Sequence, residues 1–189
     1  MINVNDIKNG MTLIVDGKLC QIIEFQHVKP GKGGAFVRTK LKSLTTGRIL
    51  ENTFNAGVKV VTARVERRKY QFIYKDGDSF TFMNIEDYEQ VTIDKKMIEN
   101  ELLLKDGQDV YILYHTEKNQ ILGVELPLSV EMTLTEVEEG EKGNTVTRVM
   151  KKARTETGLE VLVPLFIKKN DIIKIDTRTG NYIERVTKK

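Results

Sequence analysis

Tryptophan is absent from this 189-residue chain, there is one cysteine, there are two histidines, and aromatic residues make up only 7%. A single cysteine excludes any disulfide within the chain. Cys20 lies in the apolar stretch Leu19-Cys20-Gln21-Ile22-Ile23 and reads as a buried core residue rather than a reactive thiol. With that one cysteine, His27 and His115 cannot supply the usual His/Cys set for zinc, so no metal and no cofactor is expected. No apolar run approaches the roughly 18 residues that suggest a membrane span. The opening residues, Met1 to Lys8, lack the basic region, apolar stretch and small-residue cleavage site of a secretory leader. A cytoplasmic address with no membrane partner is the expectation. The acidic cluster Glu86-Asp87-Tyr88-Glu89 has no nucleophile motif beside it and reads as a solvated face, so no catalytic residue is assigned and the chain reads as a non-enzyme.

Charge is plentiful, at 30% of residues, and unevenly spread. Residues 1–64 carry ten Lys/Arg against four Asp/Glu, a net of +6; residues 65–128 carry eight against thirteen, −5; residues 129–189 carry twelve against ten, +2. A basic N-terminal segment suits phosphate backbones, whose attraction for Lys and Arg is largely independent of base sequence.

Short β-rich segments separated by Gly and Asp turns dominate the rest. Residues 12–15 and 18–28 flank Asp16-Gly17, a hairpin signal. Asp76-Gly77 is a second, with Tyr70, Phe72 and Tyr74 alternating before it and Phe80 and Phe82 after it. That alternation predicts one buried aromatic face, with a base-stacking platform as the alternative. Only residues 93–103 read as helix, with Asp94 as N-cap and Lys105-Asp106-Gly107 as its stop. Further strands are expected at 108–115, 120–126, 129–137, 159–167 and 171–176, with a final turn at Thr179-Gly180-Asn181. Pro164 is expected on an edge or at a bulge because it has no N–H to donate. The whole implies an all-β architecture of small barrels joined by short connections.

The most distinctive segment is Lys29-Pro30-Gly31-Lys32-Gly33-Gly34-Ala35-Phe36-Val37-Arg38, between two strand-like stretches. Pro30 fixes φ, and Gly31, Gly33 and Gly34 make a slim loop with Lys32 as the one long side chain at its tip. An ammonium so presented is accessible to modifying enzymes and to RNA phosphates. A nucleotide-binding loop does not fit, since Gly33 follows the lysine where Ser or Thr is required and Gln26 stands where an earlier Gly is required. Lys29, Arg38, Lys40 and Lys42 concentrate positive charge around the tip and are RNA-binding candidates.

This tip segment resembles the tip loop of the bacterial elongation factor P family. Two further stretches, Lys152 to Ile167 and Ile173 to Arg185, are similar to the family's C-terminal signature, and Val4-Asn5-Asp6-Ile7-Lys8-Asn9-Gly10 fits its opening. The resemblance implies an N-terminal SH3-like (KOW-like) barrel and two OB-fold barrels in a tRNA-like overall shape, with domains at 1–64, 65–128 and 129–189. It implies a monomer that binds the ribosome between the peptidyl and exit sites, touches ribosomal RNA and peptidyl-tRNA, and relieves stalling at runs of proline. Lys32 would reach toward the CCA end of the peptidyl-tRNA, and it matches a position that in many members carries an extension added by a modifying enzyme. The chain departs from the family in residues 143–153, where Lys152 stands in place of a common proline; Arg148, Lys151 and Lys152 remain candidates for phosphate contact. Asn170 stands where glycine is usual, a change that a left-handed turn tolerates. Two alternatives stay open: a diverged paralogue with a different stalling preference, and a generic OB-fold nucleic-acid-binding protein that would use the aromatic hairpin and not Lys32.

Overall fold

In a computed structural model of the chain, residues 1–139 and 150–187 are described. Three antiparallel sheets account for most of them. The first contains β1 (Ile2–Asn3), β2 (Thr12–Val15), β3 (Lys18–Val28), β4 (Phe36–Ser43), β5 (Ile49–Asn55) and β6 (Lys59–Ala63), in the order β1-β6-β2-β3-β4-β5. The second contains β7 (Val65–Asp76), β8 (Ser79–Asn84), β9 (Gln90–Asp94), β10 (Asp109–His115) and β11 (Gln120–Glu125), in the order β11-β10-β7-β8-β9. The third contains β12 (Ser129–Val137), β13 (Met150–Thr155), β14 (Glu160–Pro164), β15 (Ile172–Asp176) and β16 (Tyr182–Val186), in the order β14-β13-β12-β15-β16. The all-β expectation holds. By packing, the chain divides into two compact units, Met1–Lys69 with Tyr111–Glu125 and Tyr70–Val110 with Leu126–Lys189.

Local chemistry explains the first hairpin. Asp16 and Gly17 have φ of 49° and 76°, so both central residues of the β2–β3 turn are left-handed, as a twisted two-residue hairpin requires. In the β7–β8 hairpin, Asp76 pairs with Ser79, so the turn residues are Gly77 and Asp78, one position later than the Asp76-Gly77 reading. Gly77 takes the positive φ, 56°, at the first central position. Pro164 ends β14, which lies at an edge in the strand order. Asn170 has a φ of 69°, the left-handed geometry its place in the sequence called for.

Inward-facing side chains make separate cores. Val4, Leu13, Ile22, Val37 and Leu41 are at the centre of the first sheet's core. Phe72, Phe80 and Phe82 pack together, with ring centroids 5.8 Å and 5.4 Å from Phe72, and Tyr70 is also buried. Tyr74 departs from the expected aromatic face. The register shifts between Phe72 and Tyr74, and this bulge leaves Tyr74 half exposed.

Residues 93–103 do not form the expected helix. β9 runs through Asp94, followed by two single-turn 3-10 helices at Lys95–Met97 and Glu101–Leu103. Asp94 does cap, accepting a hydrogen bond from the Lys96 N–H at 2.9 Å, but the turn ends at once because Ile98 is extended. The reason is burial. Ile93, Ile98 and Leu103 are all buried, and residues five apart on an α-helix point about 140° apart. One helix could not bury all three on one side. The broken path does so, and it places Leu103 in the core cluster of the third sheet with Val130, Met132 and Val163.

Candidate functional site: a glycine-framed lysine at a hairpin tip

Strands β3 and β4 form a long hairpin whose last pair, Val28 with Phe36, closes a seven-residue loop, residues 29–35. Residues 29–34 are all exposed, Lys32 among them. Ala35 returns the chain to the sheet by accepting a hydrogen bond from the Ala56 N–H at 2.9 Å. The three glycines are not equivalent. Gly33 has a φ of 110°, a conformation that side chains rarely adopt, and a Cβ there would lie 3.8 Å from Pro30 Cγ. Gly31 and Gly34 have no such φ and face open space. Pro30 and Gly33 therefore bend the loop, while Gly31 and Gly34 keep the surroundings of Lys32 slim.

Alternation along β4 arranges the cations. Val37, Thr39, Leu41 and Ser43 are buried, so Arg38, Lys40 and Lys42 share the opposite face. They differ in availability. Lys40 lies across from Glu24 on β3 and Glu51 on β5, and its Nζ is 3.5 Å from Glu24 Oε2. Among the described residues no ion pair engages Lys29, Lys32, Arg38 or Lys42. In the sequence Lys40 is indistinguishable from its neighbours, because only the strand register reveals the two carboxylates beside it. Chemically the hairpin offers an exposed primary ammonium at a narrow apex, backed by Arg38 and Lys42.

Of the three candidates in the last sheet, Arg148 lies outside the described residues. Lys151 pairs with Val163 and Lys152 with Leu162, so the two lysines point to opposite faces of β13. They lie in a different sheet from the β3–β4 hairpin whose loop carries Lys32. Arg178, in the C-terminal signature, is held at 2.7 Å by Asp176, and that guanidinium keeps the Asp176 carboxyl below the usual carboxylate range. Among the described residues no group of His, Cys, Asp and Glu side chains is arranged to hold a metal ion, and no helix is long and apolar enough to cross a membrane.

Three family models match successive parts of the chain. The family model described as the elongation factor P KOW-like domain matches residues 3–60, the elongation factor P OB domain matches 65–124, and the elongation factor P C-terminal model matches 130–185. The chain belongs to the elongation factor P family. Elongation factor P of Amoebophilus asiaticus is 54% identical over 186 residues, which is 98% of this chain and 98% of that one. That of Flavobacterium psychrophilum is 50% identical over 98% of this chain and 100% of its own. Among solved structures, eukaryotic translation initiation factor 5A from Methanococcus jannaschii aligns with a TM-score of 0.41 and 26% identity, covering 67% of this chain and 90% of that one. Membership in the elongation factor P family makes this chain a ribosome-associated translation elongation factor, built of KOW-like and OB-type β domains.

Proposed function

We propose that this factor binds the ribosome between the peptidyl and exit sites and uses the Lys32 tip to hold peptidyl-tRNA in a reactive position when synthesis stalls at consecutive prolines. The observation that carries the reading is the tip itself. Lys32 is exposed on a narrow loop bent by Pro30 and Gly33, and behind it Arg38 and Lys42 have no ion pair among the described residues. Proline restricts the backbone on both sides of the bond to be made, so its substrates align poorly, and alignment is what an extended cation beside the CCA end supplies. Catalysis stays with the ribosome, and the factor is not an enzyme. We read the chain as three domains at 1–64, 65–128 and 129–189, acting as a monomer in the cytoplasm. Lys32 is the position for a covalent extension by a lysine-modifying enzyme, since added length ending in a cation or hydroxyl increases its reach toward phosphates. An intact mass of natively expressed protein equal to the sequence mass would exclude the extension.

Burial of Phe72, Phe80 and Phe82 disfavours the alternative of a generic nucleic-acid binder that stacks bases on this hairpin. The deciding experiment is reconstituted translation of a message with three consecutive prolines against a proline-free control, with no factor, the natively modified protein and Lys32→Ala. Relief of the proline-specific delay by the parent and not by Lys32→Ala is the expected result. Equal performance of the two proteins would remove the tip from the mechanism. A different stalled sequence responding in place of proline would favour the diverged paralogue.

A further inference from the structure

Four non-glycine residues among those described have positive φ: Asp16, Asn119, Asn170 and Tyr88. Asp and Asn enter the left-handed region at small cost, but a tyrosine there is an outlier that persists only where its surroundings over-determine it. Tyr88, at φ 63°, lies in the loop between β8 and β9. The loop is held at both ends and inside. The Asn84 N–H donates to the Glu89 carbonyl at 2.9 Å, and the Tyr88 N–H donates to the Asn84 carbonyl at 3.0 Å. Asn84 Oδ1 accepts from the Glu86 N–H, and Asp87 Oδ1 accepts from the Glu89 N–H, each at 2.9 Å. The turn would form with glycine at position 88 at less cost, and the tyrosine ring gains no burial in compensation. It is 70% exposed, and Ile85, three residues before it in the same turn, is 39% exposed. An aromatic ring and an aliphatic side chain on a rigid projection lose little conformational freedom when a partner covers them, which is the physical character of an interface anchor.

We infer that Tyr88 and Ile85 form an anchor that inserts into an apolar pocket with a basic rim on a protein component of the ribosome. The class of partner follows from charge. Glu86, Asp87 and Glu89 are exposed around the anchor, none is ion-paired among the described residues, and residues 65–128 carry a net of −5. Phosphate would be repelled from this turn, whereas Lys and Arg on a protein rim would be attracted. The inference rests on ribosome binding and not on the role of Lys32. It gives the factor two differently charged faces, a cationic tip for RNA and an acidic turn for protein.

The test uses the full chain and purified ribosomes. Tyr88→Gly removes the ring and relieves the backbone, so its melting temperature stays equal to the parent's or rises. Its ribosome affinity falls by roughly tenfold or more, the scale of a lost anchor. Glu89→Lys lowers affinity further at low salt than at high salt. A benzophenone amino acid at position 88, irradiated on the ribosome, gives a cross-link to a ribosomal protein. Parent-like affinity in Tyr88→Gly, or a cross-link to ribosomal RNA alone, overturns the anchor while leaving the tip mechanism standing. Failure of the parent chain to bind ribosomes overturns both.

Discussion

At the scale of single residues, the tip loop separates two kinds of glycine that look alike in the sequence. Alanine at position 33 must adopt a φ of 110°, while alanine at 31 or 34 meets nothing within 4 Å. Gly33→Ala is expected to carry about 1–2 kcal/mol of backbone strain, to redirect Lys32, and to lose most of the relief of proline stalling. Gly31→Ala and Gly34→Ala should keep it, and equal losses in all three would show that slimness rather than loop shape is what matters. The cations behind the tip separate in the same way. Removing an unpaired cation from an RNA contact lowers the salt slope of binding by roughly one unit, and this is expected for Arg38→Ala and Lys42→Ala. Lys40→Ala should change it less, because Glu24 already engages that ammonium. Titrating ribosome binding against salt for the three variants measures the difference. Lys32 and the cations were legible as candidates because residue type and glycine framing are local properties. The carboxylates beside Lys40 were not, since Glu24 and Glu51 are sixteen and eleven positions away in the chain.

At the scale of elements, the β2–β3 hairpin was legible from the turn chemistry of Asp16-Gly17 and the β7–β8 hairpin to within one residue, whereas the segment after β9 was not. Its apolar residues and N-cap resemble a helix, but two 3-10 turns resolve the conflict between helical direction and burial. Those turns are pinned by Glu101, whose carboxylate receives Lys95 Nζ at 2.6 Å and Lys75 Nζ at 3.0 Å. The hydrogen bond from Lys95, opposed by desolvation and reinforced by Lys75, holds the Glu101 carboxyl below its ordinary range, and the same bond raises Lys95. The sign of the pH dependence follows. A carboxyl with a depressed folded pKa contributes stability that is fully present above its unfolded value, about 4.3 for Glu, and is lost as pH falls through the folded value. Lys95 contributes in the opposite sense, fully below its unfolded value and less as pH rises through the folded one. Glu101→Gln should therefore be less stable than the parent at neutral pH, with the gap closing in acid. Urea unfolding at pH 7 and pH 3 checks this, and a gap unchanged by pH would mean that the ion pairs contribute nothing.

At the scale of the whole molecule, one side chain ties the second sheet's connection to the third sheet's core. Leu103 follows β9 in the chain yet packs with Val130, Met132 and Val163. Around it, Lys105 Nζ lies 3.2 Å from Glu156, and the Thr157 hydroxyl donates to the Leu102 carbonyl at 2.6 Å. Truncating a fully packed leucine costs about 2–5 kcal/mol, so Leu103→Ala is expected to lower the stability of the third sheet as well as its own segment. Amide exchange should read this as lost protection in β12 and β15. Loss confined to residues 95–105 would show that the two pack without being energetically coupled.

The sequence by itself determined the all-β character, the β2–β3 hairpin, the lysine tip and the family. Each depends on short-range rules: alternation along a strand, positive φ at Gly, Asp and Asn, and motifs read in order. Only the tertiary structure decided which face each side chain takes after a bulge, and so left Tyr74 half exposed beside a buried aromatic cluster. It also decided that Ile93, Ile98 and Leu103 are buried by a broken path rather than a helix, that Lys40 lies between Glu24 and Glu51 on the neighbouring strands, and that Tyr88 projects in a left-handed turn. The physical reason is that strand pairing has a period of two, so a single inserted residue reverses every contact beyond it. The partner strand that sets the insertion lies too far along the chain for local pattern to reveal.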